Sequence, residues 1–253
     1  MAETLSLRAK IEQSPMGAYQ WMIVAMAAIM NLLDGFDVLA LAFTATAIQN
    51  EFGLTRIELG YLLSAGLFGM AAGSLFLAPL ADKIGRRSLL LMAVLLSTIG
   101  MLGSAFISQY QWLGFWRVIT GLGVGGILVG TNVITSEYSS RKWRSFAISV
   151  YAAGFGVGAV LGGMFAVMLQ GEYGWRSVFL AGAILTGLFL VLLFIWLPES
   201  IDFLTTKQPK NAEVRLNLIA KKIGLAGDWK LPAKTEKVKT KLPISQLFSE
   251  KYL

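Results

Sequence analysis

A chain of 253 residues with 55% hydrophobic side chains, 15% charged and 27 glycines is too poor in charge for a soluble domain, in which about a quarter of residues are charged. It has no cysteine and no histidine, which excludes disulfides, thiol nucleophiles, histidine-ligated haem and the usual zinc sites. Any proton handled within such a chain rides on carboxylates. The net charge of +7 is uneven, since eleven of the 22 basic residues follow Leu197.

Residues 1–18 are polar and mixed in charge, and the apolar stretch that follows is too long for a signal-peptide core, so it is expected to be retained. Within residues 19–197, six apolar runs are predicted as helices near 20–48, 59–81, 88–107, 110–135, 145–170 and 174–197. About 20 helical residues cross a ~30 Å hydrocarbon core, so the fold class is an all-α membrane protein. The connections are short. Arg8, Lys10, Lys83, Arg86, Arg87, Arg141, Lys142 and Arg144 fall on one side, against Arg56 and Arg176 on the other. By the positive-inside rule both termini are expected to be cytoplasmic, and Trp21, Trp112, Trp116, Trp143 and Trp175 near span ends suit an interfacial belt.

Residues 198–253 read as a basic cytoplasmic loop, with a short amphipathic helix over Asn211–Ile223 and a Lys/Pro linker from Lys230 onward. A solvated loop is favoured over a polybasic lipid site. No seventh apolar run follows, and the expectation is that a second bundle lies beyond Leu253.

GLGVGG (Gly121–Gly126) and GFGVGA (Gly154–Ala159) mimic a dinucleotide fingerprint, but both lie inside apolar runs without the strand and aqueous pyrophosphate site that it needs. Close helix packing explains them better. Gly121 with Gly125, Gly126 with Gly130, and Gly154, Gly158 and Gly162 recur at four-residue spacing, while Gly66, Gly69 and Gly73 make a similar face in the second span. No cofactor, metal or nucleic-acid partner is implied.

Asp34, Asp37 and Arg117 are the ionisable side chains deep within the runs, each costing about 2.5–3.5 kcal/mol at a helix centre on insertion scales. Asp34 and Asp37 share a helix face, and two carboxylates on one dry face do not both ionise cheaply. Gly35 between them is a weak point in the helix. Asp37 lies ~15 Å and Arg117 ~10 Å from the outer ends of their spans, so the two meet if those helices are neighbours. A structural Asp–Arg pair, a proton carrier kept beside an arginine, and an arginine that holds a substrate carboxylate all remain open.

PLADKIGRRSLLL (Pro79–Leu91) resembles the loop motif of the major facilitator superfamily at Asp82, Gly85, Arg86 and Arg87, with Ala78 in place of its leading glycine. RVITGLGVG (Arg117–Gly125) and EYSSRKWR (Glu137–Arg144) resemble the superfamily's R-x-x-x-G-x-x-x-G and E-[FY]-x-x-x-x-x-R motifs. DGFD in the first span and LPES (Leu197–Ser200) narrow the resemblance to the aromatic acid:proton symporter family. The resemblance implies a six-helix N-terminal bundle of two inverted three-helix repeats, half of a twelve-helix transporter in the bacterial inner membrane. It further implies that Asp34 and Asp37 serve transport, that Asp82 and Arg86 belong to a gating loop with Gly85, Arg87, Glu137, Arg141 and Arg144, and that a small organic anion and a proton are the partners. The fifth span lacks the Gly-Pro that superfamily antiporters tend to carry. Proton-coupled efflux of drugs or organic anions, and a non-transporting sensor or scaffold, are the rival functions; an enzyme is not expected.

Overall fold

The computed structural model describes residues 6–225 and 227–231, so the linker expected beyond Leu231 lies outside the described residues. Nine helices are present among them: α1 Leu7–Gln13, α2 Ala18–Phe52, α3 Arg56–Ile84, α4 Arg86–Ala105, α5 Tyr110–Tyr138, α6 Arg144–Tyr173, α7 Trp175–Trp196, α8 Ile201–Lys207 and α9 Ala212–Ile223. The helices α2–α7 are each long and apolar enough to cross a membrane.

Most of these spans run past the apolar runs read from the sequence, because a helix stops at its caps and not where its hydrophobicity falls. α2 has 35 residues, about 52 Å, and so outreaches a ~30 Å core by tilting or projecting. It stops at Gly53 in the left-handed conformation, and α3 then starts in a Thr55–Glu58 capping box. Gly85 (φ 96°) makes the sharp corner between α3 and α4 that a residue with a Cβ resists.

Within the bundle α3 packs chiefly on α5, α2 on α6, and α4 on both α5 and α7. Exchanging α2 with α5, α3 with α6 and α4 with α7 turns the α3–α5 pairing into α2–α6 and returns α4–α7 to itself, while α4–α5 maps onto a looser α2–α7 contact, the pattern of two three-helix repeats. Backbone contact explains why the two major pairings are close. A Cβ at Gly69 or Gly73 would overlap the carbonyls of Val118 or Leu122 on α5, and one at Gly121 or Gly125 those of Gly66 or Met70 on α3. In the related pairing, Gly154 and Gly158 of α6 face the Ala28 and Leu32 carbonyls, Gly162 faces the Phe36 ring, and Gly35 of α2 faces the Phe155 carbonyl. Gly66 itself has room for a Cβ, so its part is to offer backbone to Gly121. Gly126 and Gly130 meet side chains, chiefly of Leu77, Ala93 and Leu90.

At the end of the bundle that carries the N-terminus, hereafter the basic end, the chain is more folded than its sequence suggests. Leu7 and Ile11 of α1, Ile201 and Leu204 of α8, and Leu216, Ile219 and Ala220 of α9 join Ile23, Met26, Met30 and Tyr138 in one buried cluster. The segment over 198–223, expected as a solvated loop with one helix, instead holds two helices seated on the bundle. The amphipathic helix expected from Asn211 is α9, with Asn211 as its N-cap.

Candidate functional site: a cavity between α2, α3 and α5

The DGFD stretch is continuous helix, and its side chains point into the protein. Asp34 and Asp37 are each 1% exposed and Arg117 3%. α2 and α5 are neighbours, so Asp37 and Arg117 come together as their depths predict. They do not form a carboxylate–guanidinium pair, one of the three readings left open by the sequence. Arg117 Nη1 reaches the backbone carbonyl of Asp37 at 3.4 Å. Its Nε and Nη2 donate to Ser104 Oγ at 3.2 and 3.0 Å, and Nη2 also to Thr120 Oγ1 at 3.0 Å and Met101 Sδ at 3.0 Å. The Phe179 ring centroid lies 4.8 Å from the guanidinium carbon, a cation–π contact that costs no hydrogen bond. Five neutral groups thus hold the arginine, while the Asp37 carboxylate is directed toward Gly182 of α7.

Both Asp37 oxygens, and Oδ2 of Asp34, are buried without a hydrogen-bond partner among the described residues. Buried polar atoms are almost always satisfied, so three bare carboxylate oxygens on one helix face are an exception that sets this part of α2 apart. Next to them a narrow cleft opens between α2, α3 and α5. Asp37, Arg117 and Thr120 supply its polar wall, and Gly66, Met70 and Val124 part of its apolar one. Asp34 lies outside that lining. The two aspartates, one face by sequence, therefore have different surroundings.

Sequence reasoning missed the groups that orient this site. Ser104, Thr120, Met101 and Phe179 carried no signal beyond being polar or large within a span. Asn31, one turn before Asp34, carried one: a buried amide in a run of apolar residues. Its Nδ2 donates to the Tyr151 carbonyl at 2.9 Å and ties α2 to α6.

The residues expected at a gating loop divide among several partners. Asp82 near the end of α3 and Arg86 at the start of α4 pair at 2.7 Å across the Gly85 corner. Glu137 and Arg144, joined in one motif, do not bond each other. The Glu137 carboxylate accepts from Ser200 Oγ at 2.9 Å and the Ile201 N–H at 2.9 Å, and so caps α8. Arg144 reaches Glu12 of α1 at 2.6 Å and holds that carboxyl below its ordinary range, while the Arg141 N–H donates to the Glu12 carbonyl at 2.9 Å. Glu199 joins the corner at Gly85 to α8, accepting from the N–H groups of Arg87 (3.0 Å) and Ser200 (2.9 Å). Arg8 and Asp202 close the set with an ion pair between α1 and α8. Glu137→Ala would strand two buried donors at a cost of about 1–3 kcal/mol. Hydrogen exchange over residues 200–207 is expected to accelerate sharply in this variant and less in Glu137→Gln, which keeps an acceptor.

A model of the Major Facilitator Superfamily matches residues 27–253, nearly nine-tenths of the chain. The chain belongs to this superfamily. It is 34% identical over 242 residues to a gallate transporter of Pseudomonas putida, covering 96% of this chain and 54% of that protein. It is also 34% identical to the 4-hydroxybenzoate transporter PcaK of the same organism, over 86% of this chain and 49% of PcaK. The chain spans about half the length of the curated relatives that it matches. Among solved structures, a partially occluded, inward-open form of the xylose transporter XylE from E. coli superimposes with a TM-score of 0.71 at 23% identity, covering 80% of this chain and 55% of XylE. That likeness is one of fold, and it agrees with a six-helix N-terminal bundle of two inverted repeats as in the superfamily.

Proposed function

We propose that the chain is the N-terminal half of a proton-coupled importer of a small aromatic acid that works by alternating access. In this reading residues 19–197 are its first bundle, residues 1–18 and 198–253 lie in the cytoplasm of a bacterium, and a second six-helix bundle of the same protein completes the cavity. Lys and Arg concentrated at the basic end support the orientation. The observation that carries the reading is a cavity lined by both Asp37 and Arg117, with the bare Asp37 carboxylate buried beside it and Arg117 tethered by neutral groups. That two of its relatives are a gallate transporter and a 4-hydroxybenzoate transporter supports an aromatic acid as substrate.

A proton loads on the Asp34/Asp37 pair from outside. The substrate carboxylate approaches the cavity face of Arg117, whose other donors stay on Ser104 and Thr120. The two bundles then rock about the site, and both cargoes leave inward. The chemistry is binding and proton transfer, with no covalent step and no cofactor.

Uptake of labelled gallate, 4-hydroxybenzoate or benzoate into cells that express the intact protein tests this. Accumulation of at least one acid is expected under an inward proton gradient, together with external alkalinisation, and is expected to vanish with a protonophore. Accumulation indifferent to the gradient would remove the coupling. Net extrusion, with raised sensitivity of a deletion strain to drugs or organic acids, would favour efflux. An absence of any transport with the gradient intact would favour a sensor.

A further inference from the structure

At the basic end, α9 lies close to the last turn of α7 and leaves a crevice of about 660 Å³. Its wall includes Tyr19, Arg87, Trp196, Glu199, Arg215 and Lys222. Three cations face one carboxylate there, and Glu199 Oε1 is already engaged by the Arg87 and Ser200 N–H groups. Lys222 Nζ stands 5.3 Å from the centroid of the Tyr19 ring. Arg87 lies 5.7 Å from the Phe194 ring centroid and donates one Nη to the Phe194 carbonyl, but its Nε is buried without a partner.

The rim is apolar. Ile195 and Trp196 of α7 are more than half exposed, as are Val214 and Leu218, which stand one turn apart on the outward face of α9. α9 thus has two apolar faces. Leu216, Ile219 and Ala220 are buried on the bundle, while Val214 and Leu218 face outward beside Arg215 and Lys222. Such a helix lies in the plane of a membrane interface, with its apolar residues in the acyl boundary and its basic ones at the headgroups.

We infer that the α7/α9 crevice is a binding site for an anionic glycerophospholipid, with Arg87, Arg215 and Lys222 on the phosphodiester and the apolar rim against the acyl chains. A soluble phosphate would use the same cations but gains nothing from Ile195, Trp196 and Leu218. That apolar rim is the reason to choose lipid. The inference stands apart from the transported substrate, since none of these residues lines the cavity at Asp37.

The test is a titration of the intact, delipidated protein by native mass spectrometry, with phosphatidylglycerol, phosphatidylcholine and glycerol phosphate as probes. Phosphatidylglycerol is expected to bind in preference to phosphatidylcholine, and glycerol phosphate is expected not to displace it. R215Q/K222Q is expected to weaken phosphatidylglycerol binding roughly 30-fold, the effect of two basic side chains at a headgroup. K207Q/K210Q, which removes two exposed charges from neighbouring positions outside the crevice, is expected to leave binding unchanged. The charge-keeping swap R215K/K222R is expected to bind as the parent does, which separates the site from the fold. Equal binding of the two lipids, equal loss in both charge-removing variants, or displacement by glycerol phosphate would each overturn the inference.

Discussion

Gly158→Ala is expected to break the contact between α6 and α2, while Gly156→Ala, one position pair earlier in the same helix, is expected to be harmless. A Cβ at Gly158 would drive into the Leu32 carbonyl and its backbone atoms, whereas one at Gly156 meets nothing within 4 Å. Backbone cannot rotate away as a side chain can, so the helices must separate along their length. Overpacking of this kind costs about 1–3 kcal/mol in ordinary cores, and a rigid backbone neighbour places it at the upper end. In lipid the loss is felt more directly, because association rests on close packing without a hydrophobic drive between helices. Gly156→Ala removes a flexible residue from a helix interior and contributes up to about 1 kcal/mol of stability through propensity. Thermal unfolding in detergent, followed by size-exclusion chromatography, separates the two: Gly158→Ala should melt several degrees lower with reduced monodisperse yield. Equal melting of the two variants would show that α2 and α6 are not in backbone contact.

The same contrast shows what a sequence discloses. Four-residue glycine spacing identified a packing face on α6, but it could not tell Gly158 from Gly66, since that depends on which backbone lies opposite. The six spans were legible because hydrocarbon imposes length and apolarity on every one of them. The small helices α1 and α8 were not. Their apolar residues are few, and they are fixed by distant partners, as Glu137 is by Ser200 and Glu12 by Arg144. At the site, charge within a span exposed Asp34, Asp37 and Arg117, and depth brought the last two together. The direction of each side chain was invisible, because Ser104 and Thr120 outcompete a carboxylate for Arg117 only once α4 and α5 are packed. The loop motif named Asp82 and Arg86, which the fold joins in an ion pair, whereas Glu137 and Arg144, named in one motif, bond to different partners.

Asp37→Asn is expected to abolish gradient-driven accumulation while leaving exchange of internal for external substrate. Asparagine keeps the volume of the side chain at the cavity wall but cannot take up and release a proton. The fork of Arg117 on Ser104 and Thr120 is independent of the Asp37 carboxylate, so the positive side of the site should survive the change. That independence is what allows binding and coupling to be separated. Asp34 lies on the same helix face without lining the cavity, so Asp34→Asn tests whether the proton passes through both groups. If they act as one relay, either single variant reduces accumulation to the level of vesicles lacking the protein, and the double variant is no worse, as for residues that work as a unit. Accumulation that survives Asp34→Asn but not Asp37→Asn would confine the proton to the carboxylate of Asp37. Full accumulation by Asp37→Asn would overturn the assignment, because the bare oxygens would then serve packing alone. Arg117→Lys completes the argument: an ammonium cannot span Ser104, Thr120 and the cavity as a planar guanidinium does, so substrate exchange itself should fall in this variant while it persists in Asp37→Asn.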